Sequence, residues 1–134
     1  MNNKTIKTPF GDASISVTSY QNNNRLAVIL NYGNDEMDVL TINLPDYVVQ
    51  SYDCAFIDGD INNEFNGVNI IDTLKNKGII EESYGFYNYN LGKYECVKFN
   101  LEKLKEYDPN GVKEYLDKYE IKEGLDIDEM EIKI

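Results

Sequence analysis

The chain has 134 residues, 24 of them acidic and 13 basic, for a formal net charge of -11, and it contains neither histidine nor tryptophan. That length suits one domain that buries a core without disulfides or a structural metal, and the missing imidazole excludes Ser-His-Asp and Cys-His catalytic pairs and histidine zinc sites. The acidic balance opposes direct nucleic-acid contact, so the expectation is a soluble, non-enzymatic binding domain without a cofactor.

The first third of the chain predicts a β-meander. Lys4 to Phe10 leads through a Gly11-Asp12 turn to Ala13–Tyr20, which alternates at period two with Ile15 and Val17 on one face. After the polar tract from Gln21, Leu26–Tyr32 places Leu26, Val28 and Leu30 on one face. A turn around Gly33, Asp35 and Glu36 precedes a fourth strand, Val39–Leu44, which Pro45 stops. Farther on, Asp53–Ile57 reads as a strand and Asp58-Gly59-Asp60 as a loop.

A helix is predicted between about Asn66 and Lys77, with Ile70, Ile71 and Leu74 on one side and Gly78 as a left-handed stop. Tyr84–Tyr89 and Tyr94–Phe99 read as a hairpin. A second helix starts at Asp108-Pro109 and runs to about residue 120, with Val112, Tyr115, Leu116 and Tyr119 at helical spacing. Residues 121–134 form an acidic tail that alternates apolar and charged residues, read either as an edge strand or as a tail. Together these elements predict one α+β domain over 1–134: an antiparallel sheet from the meander and the later hairpin, packed by two helices.

Cys54 and Cys96 fall between apolar neighbours in predicted strands and are expected as buried free thiols. The polar N-terminus and the lack of an 18-residue apolar run point to neither a signal peptide nor a membrane span, and hence to the cytoplasm. Asp58-Gly59-Asp60-Ile61-Asn62 reproduces the opening of a calcium loop. The glycine position of that loop holds Asn63 and its closing glutamate position holds Asn69, so a polar loop with Asx turns is the expectation. A carboxylate-based enzyme or calcium module centred on Asp58 and Asp60 is the alternative.

Charge distribution carries the main functional reading. Between Arg25 and Lys75 there are nine acids and no base. Asp35, Glu36, Asp38, Asp58, Asp60 and Glu64 are therefore the candidate partner-binding acidic face, aimed at a protein with a basic surface. Eleven net charges match those on about 19 Å of duplex axis, so a nucleic-acid mimic that fills a basic groove is the most specific version. Tyr87 and Tyr89 are the aromatic interface candidates, serving a structural or immunity-type partner protein in a third reading.

Several segments together carry a family resemblance: Thr8-Pro9-Phe10-Gly11-Asp12, Thr18-Ser19-Tyr20, Leu26-Ala27-Val28, Leu40-Thr41-Ile42-Asn43-Leu44, Ala55-Phe56-Ile57-Asp58, and Gly85-Phe86-Tyr87 before Tyr94–Leu101. Over about residues 5 to 101 the chain resembles an uncharacterised family of small proteins encoded on conjugative and other mobile elements of gut bacteria. Gly59-Asp60 intervenes where that pattern has an Asn-containing turn. The resemblance implies a bacterial accessory protein of the kind that blunts host nucleases, and it assigns no functional residue.

Overall fold

Alternation of apolar and polar side chains builds the first sheet. The computed structural model describes residues 4–118 apart from 22, 34, 45–46, 48–50, 62–64, 66 and 90–91. Within it, β1 (Ile6–Thr8), β2 (Gly11–Ser19), β3 (Leu26–Tyr32) and β4 (Met37–Val39) are antiparallel neighbours in chain order. Buried Ala13, Ile15 and Val17 lie opposite Tyr32, Leu30 and Val28, so the period of two in the sequence becomes the register of the ladder.

β4 is displaced from the predicted Val39–Leu44, and Thr41 explains why. The Leu40 amide still donates to the Val28 carbonyl at 2.8 Å. The Val28 amide, however, donates to the buried Thr41 hydroxyl at 3.2 Å. A side-chain oxygen thus replaces the next backbone carbonyl and ends the ladder. The chain then crosses to a second sheet through an isolated antiparallel bridge in which the Ile42 amide donates to the Phe56 carbonyl at 2.8 Å.

The second sheet contains β5 (Cys54–Asp58), β6 (Ile80–Tyr89) and β7 (Gly92–Phe99) in the order β5-β7-β6, all antiparallel. β6 begins before the predicted Tyr84. Gly85, at a φ of 100°, sits at the register shift between Ser83 and Phe86, a bulge that a residue with a Cβ adopts only under strain.

α1 (Ile70–Asn76) starts later than the predicted position near 66 because Asn69 caps it, its side chain accepting the Asp72 amide at 3.0 Å. α2 (Leu101–Tyr107) was not predicted. Asn100 caps it by accepting the Lys103 amide at 3.1 Å. α3, over residues 109–118, begins as predicted at Asp108: one carboxylate oxygen accepts the Gly111 amide at 3.0 Å and the other the Val17 amide at 2.9 Å. The helix cap therefore also ties α3 to β2. The predicted tail over 121–134 and the helix end near 120 lie outside the described residues.

The fold class is α+β, with the meander and the hairpin as two antiparallel sheets. The main core joins Ile15, Val17, Val28 and Leu30 of the first sheet to Ile57, Val97 and Phe99 of the second, closed by Ile70, Leu74, Leu104, Val112 and Tyr115 from the helices. Each such side chain stabilises the fold by about 1.5–3 kcal/mol through burial. A smaller cluster gathers Leu44, Cys54, Phe56 and Cys96 under Tyr47, Tyr87, Tyr89 and Tyr94.

Candidate acidic face

The bridge between the sheets decides where the acids go. Because Ile42 and Phe56 pair antiparallel, the chain climbing β5 toward Asp58 and Asp60 retraces the direction by which it left Asp38. The carboxyl end of β5 and the amino end of β4 therefore point the same way.

An aromatic seam connects the two. Phe65, in the segment that follows β5, packs on Phe10 with ring centroids 5.8 Å apart. Phe10 meets Tyr32 edge-on at 6.2 Å, and the Tyr32 hydroxyl donates to Asp38 at 2.9 Å. Burial, then that bond to a carboxylate, pushes the Tyr32 phenol up to about 12. Asp35 lies in the β3–β4 turn with a φ of 68°, and Glu36 beside it returns the chain by accepting the Tyr32 amide on its carbonyl at 2.9 Å.

Asp58 and Asp60 form the predicted Asx turn, Asp58 accepting the Asp60 amide at 2.9 Å. Gly59 between them donates to the Lys93 carbonyl at 2.7 Å, and a Cβ there would stand 2.7 Å from that oxygen, so only glycine fits this approach of the loop to β7. Asp58 also lines a cleft of about 200 Å³ with Asp72 and Lys75 of α1, Phe86 of β6 and Glu95 of β7. Among the described residues, no group of three Cys, Asp or Glu side chains is arranged to hold a metal ion. Glu64 lies outside the described residues.

The ion pairs are concentrated in other parts of the molecule. Lys98 pairs with Glu81, Lys4 and Lys103 with Glu106, Lys105 with Glu102, and Lys113 with Asp117. The hydrogen bond from Lys4 holds the Glu106 carboxyl below its ordinary range. Among the described residues no ion pair includes Asp35, Asp38, Asp58 or Asp60. Lysines thus neutralise acids of β6, α2 and α3, while these four aspartates keep their charge uncompensated by such contacts.

Tyr87 and Tyr89 turn toward the smaller cluster. Both are half-buried against Tyr47, at 5.7 and 5.4 Å between ring centroids, and Tyr87 meets Phe56 at 5.6 Å. The exposed aromatic residues of the hairpin are Tyr84 and Phe86, and Lys93 places its ammonium 5.1 Å from the Phe86 ring centroid. Sequence reasoning assigned no role to Phe10, Tyr32 and Met37, which line a second cleft with Glu36 and Asp38. The available signal was Phe10 itself, a large aromatic residue inside a Pro-Phe-Gly turn.

Both cysteines are free and buried, as expected. Among the described residues no helix is long and apolar enough to cross a membrane. Residues 14–119 match the family described as a domain of unknown function, DUF4313. The chain belongs to that family. The match runs beyond the segments that carried the resemblance and takes in α3. No curated protein and no solved structure matches the chain.

Proposed function

We propose that this DUF4313 protein is a non-enzymatic binding module that presents Asp35, Glu36, Asp38, Asp58 and Asp60 to a basic surface on a protein partner. In its most specific form it is an accessory protein of a bacterial mobile element that occupies the positively charged groove of a host nuclease or DNA-binding protein, standing in for a nucleic-acid backbone.

One observation supports this reading: among the described residues no ion pair includes Asp35, Asp38, Asp58 or Asp60 of the base-free stretch, whereas the ion pairs there join acids of β6, α2 and α3 to lysines. Uncompensated charge on a surface steers association with an oppositely charged partner and falls in strength as salt rises.

The test is capture from host lysate at low and moderate salt, with identification by mass spectrometry, using the wild type and a variant with Asp35, Asp38, Asp58 and Asp60 changed to lysine. A nuclease or DNA-binding protein should be retained by the wild type, released as salt rises and missing from the variant. A partner held equally well by both proteins would refute the assignment.

A further inference from the structure

Exposed apolar side chains also sit within the acidic end. Phe10 and Met37 are 48% and 60% exposed, and both line an open cleft of about 470 Å³ whose other walls are Tyr32, Glu36 and Asp38. Phe10 and Tyr32 are held in place by specific contacts. The Phe10 amide donates to the Thr8 hydroxyl at 3.0 Å, its ring packs on Phe65 and Tyr32, and the Tyr32 hydroxyl is fixed on Asp38. A single exposed apolar residue is ordinary on any surface. Two of them in one concavity rimmed by carboxylates offer a preformed place for an apolar group that arrives with positive charge.

We infer that this cleft seats one apolar side chain of a basic protein segment, whose flanking Lys or Arg residues meet Glu36 and Asp38. The inference rests on the acidic-face reading and deepens it by naming the chemistry of the segment that docks. Charge complementarity selects a cationic segment, and the Phe10 and Met37 walls select one with an apolar anchor. A nucleic acid is repelled by the same carboxylates. Aromatic residues and methionine are the side chains that enrich the cores of protein interfaces. Burial of the anchor gives binding a component that salt does not screen, unlike the charge contacts around it.

The test uses two synthetic arginine-rich peptides of equal length and charge, one with leucine and one with serine at the centre, titrated into isotope-labelled protein at low and moderate salt. The leucine peptide should bind about tenfold more tightly, keep that advantage as salt rises, and shift the amides around Phe10, Tyr32 and Met37. Met37→Ser, at an exposed position, should remove the advantage, and Phe86→Ser, at an exposed ring outside this cleft, should leave it intact. Equal binding of the two peptides, lost together with salt, sinks the anchor and leaves the acidic face standing. Shifts centred on another surface also overturn the anchor, and no binding of either peptide overturns both readings.

Discussion

The Ile42 amide donates to the Phe56 carbonyl at 2.8 Å, and this isolated antiparallel bridge links the four-stranded sheet to the three-stranded one. Its sense directs Asp58 and Asp60 toward the end of the molecule that carries Asp35 and Asp38. Thr41 makes the crossing feasible by capping the Val28 amide with its hydroxyl and by binding the Tyr20 hydroxyl at 3.0 Å.

Thr41→Val keeps the shape of that side chain and removes its hydroxyl, leaving the Val28 amide buried without its acceptor. The expected cost is about 1–3 kcal/mol, read as a lower denaturant midpoint with an unchanged slope. Thr41→Ser, which retains the oxygen, should recover most of the loss. Equal stability of the valine variant and the wild type would mean that the hydroxyl does not hold the crossing.

Asp108 serves two elements at once, so Asp108→Ala should cost more than loss of a surface helix cap, about 2 kcal/mol or above. Gly111→Ala should be at least as damaging, because its Cβ would lie 2.4 Å from the Val17 carbonyl oxygen. Thermal unfolding of the two variants checks this. A melting temperature close to the wild type for either one would show that α3 is not anchored on β2 through this contact.

Burial first, then the neighbouring Asp53 carboxylate and the Cys96 thiol, push the Cys54 thiol up from 9.0 to about 12. Native protein at neutral pH should therefore resist alkylation at Cys54, and unfolded protein should react readily. The sign of the linkage follows. Above about pH 9 the unfolded thiol loses its proton while the folded one keeps it, so this contribution to stability is intact below pH 9 and is lost as pH rises toward 12. Rapid labelling of Cys54 in the native state would contradict the assignment.

Tyr87→Ala removes a ring that packs on both Phe56 and Tyr47. We expect it to destabilise the fold by about 2 kcal/mol. Phe86→Ala removes an exposed ring and should change stability little. Any binding defect of the Tyr87 variant would thus arrive with a lower melting temperature, whereas a recognition role would leave stability unchanged.

Much of the architecture was legible in the sequence because its strands alternate strictly and its helix boundaries carry local chemistry. Ile15 and Val17 against Val28 and Leu30, the Gly78 stop and the Asp108 start all lie where period and capping place them. α2 escaped because one capped seven-residue segment between a strand and Asp108-Pro109 is too short to display a helical period. The division into two sheets was hidden for a different reason. It depends on one side-chain hydrogen bond at Thr41 and one long-range bridge at Ile42, and neither leaves a pattern along the chain. The same limit applies to the site: the base-free run was visible as a linear feature, but the sense in which β5 runs relative to the strand leaving Asp38 required that bridge. Of the hairpin tyrosines, Tyr87 and Tyr89 are half-buried and pack their rings on the smaller core, a contact that the spacing along the chain did not display.

The most direct test of the acidic face is the affinity of one arginine-rich peptide for three proteins: the wild type, the variant with Asp35, Asp38, Asp58 and Asp60 changed to lysine, and a control with Glu81, Glu102, Glu106 and Asp117 changed to lysine. The two variants differ from the wild type by the same net charge, and because the control also loses its ion pairs, thermal unfolding of both variants checks that each is folded before affinities are compared. The expected result is a loss of about tenfold or more in the first variant, with the control close to the wild type and all binding weakened by salt. Equal losses in both variants, or none in the first, would contradict a binding surface at this end of the molecule.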